Sequence, residues 1–195
     1  MSKERPIIFS GDMVRAILAG RKTQTRRVVK DQNAVEFSEE TREPLYVHSI
    51  NCPGYCDYAC NGGGYGDSPY GVPGDRLWVR EKIGIQLTPN DKYPNGLVEY
   101  GADYHDGVDF IYEGGGSAWT PSIFMPRWAS RITLEITGVR VERVQEITYL
   151  DAIAEGVDRD WPEKNYHLLW DRINAKRGYP WSANPWVWVV EFKRV

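Results

Sequence analysis

Regular hydrophobic periodicity is confined to separate stretches of this chain. Residues 31–72 and 84–118 carry almost none; they are rich in Gly, Asn, Asp, Glu and Tyr. Unpatterned connections far longer than about 12–15 residues are uncommon in compact domains and are usually functional or linking. The sequence therefore predicts one domain, residues 1–195, built from discontinuous pieces with insertions at about 31–72 and 84–118.

The patterned stretches give an order of elements. Ser10 or Asp12 can cap a first helix with Met13, Ile17 and Leu18 as its apolar stripe and Gly20 at its end. Arg21 to Lys30 reads as a turn leading into a strand. Pro73-Gly74-Asp75 is a turn signal that launches the alternating run Arg76 to Glu81. Ile123-Phe124-Met125 reads as a short strand. Ser130 to Gln145 reads as a long, bent strand with Ile132, Leu134 and Ile136 on one face and a turn or bulge at Gly138. Thr148-Tyr149-Leu150-Asp151 resembles a capping box that opens a short helix running to about Glu155 and stopped by Gly156. Pro162 opens another helix with Tyr166, Leu169, Trp170 and Ile173 at helical spacing, broken at Arg177-Gly178-Tyr179-Pro180. A last strand, Trp186 to Val195, places Trp186, Trp188, Val190 and Phe192 on one face. Strands and helices do not alternate, which argues against a Rossmann-type parallel sheet. The pattern fits an α+β fold, a small mixed barrel or curled sheet with short flanking helices.

Composition narrows the class. Hydrophobic residues are 42% and charged residues 26% of the 195, as in ordinary globular proteins. No apolar run approaches the ~20 residues of a membrane span, and the N-terminus lacks the pattern of a signal peptide. Three cysteines do not make a disulfide scaffold, so the expected location is cytoplasmic, with no membrane partner and a monomer as the default state. The formal net charge of −3 hides a split: +6 over residues 1–30, −10 over 31–113 and +1 over 114–195. Arg21, Lys22, Arg26, Arg27 and Lys30 form the densest basic cluster. Such a patch can hold phosphate on an acidic protein, because screening limits distant charges to a reach of roughly 8–10 Å. A solvated basic face is the alternative.

Gly20-Arg21-Lys22-Thr23 contains Gly-x-Lys-Thr but is not a phosphate-binding loop. That loop needs an earlier glycine, a preceding strand and a following helix. What remains is a lysine followed three residues later by Thr25. A threonine hydroxyl becomes a nucleophile when a base takes its proton, and a lysine serves as that base when burial or neighbouring cations lower its pKa. On a straight strand, positions 22 and 25 face opposite sides, so both reach one site only if the chain bends. A surface lysine beside a strand threonine is the structural alternative.

Gly20, Lys22 and Arg27 match the Gly-x-Lys-x-x-x-x-Arg motif of ASCH-domain proteins, small barrels of the PUA-like superfamily associated with RNA. Gly74-Asp75-x-Leu77, the stretch Thr148 to Val157 and the strand Val189-Val190-Glu191-Phe192-Lys193 extend the resemblance. Over most of its length the chain resembles the larger ASCH-like proteins of phages and prophages. The resemblance to compact bacterial amidohydrolases of the same family implies hydrolysis of N4-acetylcytidine to cytidine and acetate. It assigns catalysis to Lys22, Thr25 and Glu155. Lys22 would take the proton of Thr25, Thr25 would attack the acetyl carbonyl, and Glu155 would orient Lys22 or shuttle the proton. This chain is about twice as long as those enzymes and has Arg26 where they carry an apolar residue. The other functions left open are a non-catalytic RNA-binding module and an accessory or morphogenesis protein of a phage.

Candidate substrate-binding residues are Arg21, Arg26, Arg27, Trp78, Arg80, Glu81, Arg127 and Trp128. Basic and aromatic pairs such as Trp78 with Arg80 and Arg127 with Trp128 can stack on bases and reach phosphates; core packing is the alternative for the tryptophans. The expected partner is a nucleoside or RNA. No cofactor is required. His48, Cys52, Cys56 and Cys60, spaced four apart, are soft ligands that could hold a structural zinc ion, or unpaired groups in a polar loop.

Overall fold

The computed structural model describes residues 2–33, 35–37, 44–47, 68–86, 97–104 and 119–195. It shows a mixed α+β domain. Five strands form the main sheet: β1 (Glu4–Ile8), β2 (Gln24–Val28), β5 (Arg76–Arg80), β9 (Thr133–Arg143) and β10 (Trp186–Arg194), in the order β1-β5-β9-β10-β2. β1 and β5 run parallel, and the other pairs are antiparallel. Inside the stretches read as insertions lie a hairpin of β3 (Val35–Phe37) and β4 (Pro44–Val47) and most of a three-stranded sheet. That sheet pairs β6 (Ile83–Gln86) with β7 (Leu97–Tyr100) and β8 (Trp119–Thr120).

The expected barrel is not closed. Among the described residues, β1 and β2 are the two edges of the sheet, and no backbone ladder joins them. A side chain bridges them instead: Arg27 Nη2 donates to the Ile8 carbonyl oxygen at 2.6 Å. β1 itself was not legible in the sequence. Pro6 lies inside it, and proline removes a ladder donor, which an edge strand tolerates. The strand expected at Ile123–Met125 is a 3-10 turn, Ser122–Phe124, held between Pro121 and Pro126, with Ile123 and Phe124 exposed.

β10 explains the layering. Trp186, Trp188, Val190 and Phe192 do share one face, in a core with Leu77, Val79, Leu134, Ile136 and the inner side of the first helix. Val187 and Val189 are just as buried on the other face, beneath Tyr166 and Trp170. A strand covered on both sides reads as a nearly continuous apolar run. The bend expected at Gly138 is present: the β9–β10 register shifts between Glu191 and Phe192, and a Cβ on Gly138 would lie 2.7 Å from Glu191 Oε2.

Three helices end where the functional residues begin. α1 (Gly11–Leu18) buries Val14, Ala16 and Ile17 and turns at Gly20, whose φ is +71°. α2 (Tyr149–Ala154) starts with the expected capping box: Thr148 Oγ1 accepts from the Asp151 amide at 3.2 Å, and Asp151 answers the Thr148 amide. It stops at Glu155, followed by Gly156 at φ +89°. α3 (Pro162–Asn174) buries Tyr166, Trp170 and Asn174, one turn apart, while Ile173 is largely exposed.

Gly156 lies against the loop after α1. A Cβ there would come within 2.9 Å of Ala16 Cβ and 3.0 Å of Lys22 Cβ, whereas one at Gly178, φ +90°, would meet nothing within 4 Å. Gly178→Ala should therefore cost about 1 kcal/mol from backbone strain alone. Gly156→Ala should cost about 2 kcal/mol or more, because strain and overpacking add. Urea denaturation of the two variants checks the ranking; equal losses would show that the contacts at Gly156 carry no energy.

Candidate functional site

The loop between α1 and β2 is fixed from three directions by its backbone. The amides of Arg21 and Lys22 both donate to the Ala16 carbonyl, at 2.9 and 3.1 Å. The Thr23 amide donates to Ala154 of α2 at 2.9 Å, and the Thr23 carbonyl accepts from Phe192 of β10 at 2.8 Å. Lys22 is thereby aimed inward, with no exposed side-chain surface.

Its ammonium meets the end of α2. Lys22 Nζ lies 2.8 Å from Glu155 Oε2 and 2.8 Å from the Glu155 carbonyl oxygen. The carboxylate neutralises the cation, and the free carbonyl at a helix C-terminus favours positive charge there. Phe9, just past β1, lies beneath: its ring centroid is 5.6 Å from Lys22 Nζ and 5.2 Å from the Arg27 guanidinium carbon. Burial pulls the Lys22 pKa below the ordinary lysine value. Glu155 opposes that shift, while Arg27 and Arg26 reinforce it.

The second Glu155 oxygen is taken by Arg26, whose Nη1 donates to Oε1 at 3.2 Å. The Arg26 side chain is fully covered. Its Nε donates to Glu142 at 2.8 Å, its Nη2 also pairs with Glu142, and Asp151 lies 3.3 Å from Nη2. Arg140 continues the network to Glu142, Asp151 and Glu191. Burial opposes the charge on Arg26, but Glu155 and Glu142 outweigh it and raise its proton affinity.

A cavity of about 240 Å³ opens beside this network. Thr25, Arg26, Arg27 and Glu155 line it, as do Tyr166 and Tyr70. The hydroxyls of Thr25 and Tyr166 have no hydrogen-bond partner among the described residues. Burial, and then the Glu155 charge, push the Tyr166 pKa well above the usual tyrosine value, so it stays a donor. Lys22 is not in this lining; it lines a second cavity of about 280 Å³ with Gly20, Thr23 and Phe192, and its link to the first is its pair with Glu155. The volume of the first lies below the ~300–1,000 Å³ of drug-sized ligand sites, which suits a nucleobase-sized group.

The remaining expected residues lie elsewhere. Arg21 is exposed, donating to Gly156 O at 3.3 Å. Trp78 on β5 is buried, with the Arg80 and Arg127 guanidinium carbons 4.6 and 5.8 Å from its ring centroid, so both cations already occupy it. Arg127 also pairs with Glu4, and Trp128 points to solvent. Glu81 is fully buried and grips Arg131 at 2.9 and 3.0 Å; Arg131 holds Asp103 as well, which ties the turn after β7 to the sheet. None of these six expected residues lines the Thr25–Glu155 cavity. His48, Cys52, Cys56 and Cys60 fall outside the described residues; among the described residues no group of His, Cys, Asp and Glu is placed to hold a metal. Likewise, among those residues no helix is long and apolar enough to cross a membrane. Tyr166 was legible only as a member of an apolar stripe; its hydroxyl, at the cavity wall, had no separate sequence signal.

No family model matches the chain, and no curated protein matches it. Among solved structures, the crystal structure of protein EF3133 from Enterococcus faecalis V583, of the family model DUF984, is similar, with a TM-score of 0.39 and 11% identity. The alignment covers 93% of this chain and 65% of that one, so this chain spans just under two thirds of the other's length.

Arg26 is the group on which Glu155 and Glu142 both depend. Arg26→Met should destabilise the fold by about 3–5 kcal/mol, because it leaves buried carboxylates short of a partner. Arg26→Lys should recover only part of that, since one ammonium cannot match a forked guanidinium. Chemical denaturation curves of both variants measure this; a loss below about 1 kcal/mol for Arg26→Met would mean the network is not holding the sheet to α2.

Proposed function

We propose that this chain is a hydrolase that deacylates N4-acetylcytidine or a related N4-acylated cytosine nucleoside, in the cytoplasm. In this reading it is an ASCH-type member of the PUA-like superfamily. Thr25 is the nucleophile, Lys22 its base and Glu155 the partner that links them. One observation supports this most: Glu155, paired with the buried Lys22, lines the same small cavity as Thr25.

The chemistry follows from those positions. Thr25 Oγ1 bonds to the acyl carbon as its proton passes, by way of the Glu155 carboxylate, to Lys22. The carbonyl oxygen takes up negative charge and accepts a hydrogen bond from Tyr166. The C–N bond then breaks, and the cytosine amine leaves with the proton returned from the pair. Water attacks the Thr25 ester, its proton follows the same route, acetate leaves, and Thr25 regains its hydrogen. Lys22 fits the role of base because burial weakens its hold on a proton. Arg26 keeps Glu155 in place and does not touch the substrate.

Incubation with N4-acetylcytidine, with cytidine release followed by chromatography, tests the reading. Lys22→Met, Thr25→Val and Glu155→Gln should each lose roughly a thousandfold or more in kcat/KM while keeping native circular dichroism. Tyr166→Phe should lose about a hundredfold, the typical effect of one oxyanion donor. Activity needs the neutral lysine, so the rate should rise with pH through the Lys22 ionisation. That rise should lie below the ordinary lysine value of about 10.4. A folded wild-type protein with no turnover would rule the deacylation out.

A further inference from the structure

The charges around the cavity do not balance. Four cations line it, Arg26, Arg27, Lys30 and Arg177, against one anion, Glu155. Arg26 is spent on Glu142, Asp151 and Glu155. Among the described residues, no acid pairs with Arg27, Lys30 or Arg177. The one hydrogen bond of the Arg27 guanidinium goes to a neutral carbonyl, and its Nε is buried without a partner. Three cations without an acid partner thus share one cavity lining with a single anion, on a protein whose net charge is −3.

Their placement has a direction. Thr25 and Arg27 are two residues apart on β2, about 7 Å along the strand. Lys30 follows the end of β2 and is exposed; Arg177, also exposed, lies on the turn after α3, beside Gly178. Arg27 is the inner of the three, over the same Phe9 ring as Lys22, while Lys30 and Arg177 are the exposed cations of the lining. Guanidinium and ammonium groups so arranged hold phosphate oxygens by charge-assisted hydrogen bonds.

We infer that the cationic part of this cavity is a phosphate subsite, so that the substrate is an N4-acylated cytidine 5′-monophosphate rather than the neutral nucleoside. The inference rests on the deacylation reading for the identity of the base. A phosphodiester within RNA offers the same chemistry, and the probes below separate the two.

Titration calorimetry on the full chain tests it, with cytidine, cytidine 5′-monophosphate and a short single-stranded RNA as probes. The monophosphate should bind at least about tenfold more tightly than cytidine, from charge-assisted hydrogen bonds. That advantage should shrink as salt is raised. The double variant Lys30→Gln/Arg177→Gln, at two exposed positions, should bring the monophosphate down to the affinity of cytidine. Equal wild-type affinities, an advantage that survives in the double variant, or no binding of any probe overturns the subsite. So does RNA binding with no gain for the monophosphate over cytidine, which would assign the cations to a strand. Turnover of N4-acetylcytidine is scored apart. Turnover without a phosphate advantage defeats this inference alone; a phosphate advantage without turnover defeats the deacylation reading alone.

Discussion

Glu155 gives one oxygen to Lys22 and the other to Arg26, and much of the structure is arranged around that division. Its carboxylate is buried, and two cations hold it where water cannot. The interaction joins the loop after α1 and the edge strand β2 that follows it to the end of α2, more than a hundred residues later. A buried ion pair of this kind adds little net stability, because desolvation offsets attraction, but losing one member is costly. The network therefore acts as a constraint on position more than a source of stability. It fixes where an edge strand lies and where a lysine points.

The same network revises the meaning of the sequence's charge split. The N-terminal segment carries a net +6, yet most of its buried charge is answered by acids from β9 and α2, more than a hundred residues later. Among the described residues, Lys3, Arg21, Arg27 and Lys30 of that segment have no acid partner, and of these Arg27 and Lys30 line the cavity. A local excess read along the chain overstates the patch; a net charge read over the whole chain conceals it.

Legibility in the sequence followed how local the cause was. The capping box at Thr148, the stops at Gly20, Gly156 and Gly178, and the bend at Gly138 each depend on a few neighbouring residues, and each is where the pattern placed it. β10 was legible on one face from its alternation; the burial of Val187 and Val189 came from helices packed on the other. β1 was hidden by Pro6, because only its position at an edge makes the proline harmless. The short turn at Ser122–Phe124 was mistaken for a strand because Ile123 and Phe124 are apolar, though two flanking prolines hold them at the surface. The open seam between β1 and β2 depends on strand order, which no local pattern encodes. For the site, motif resemblance singled out Lys22, Thr25 and Glu155. The structure adds that Thr25, Glu155 and Tyr166 line one cavity and that Lys22, paired with Glu155, lines another.

Lys22 and Glu155 are separated by 133 residues. Contacts of such long range form late, since the chain must close a large loop before they reward it. During synthesis, Lys22 emerges well before α2, and β10, the strand that pairs with β2, follows later still. Until then an edge strand and a basic segment stand without their partners. A nascent chain of this protein passes through a period in which its most strongly charged segment is complete but has nothing to fold against. Loss of β10 would leave β2 without its ladder partner, however complete the rest of the chain.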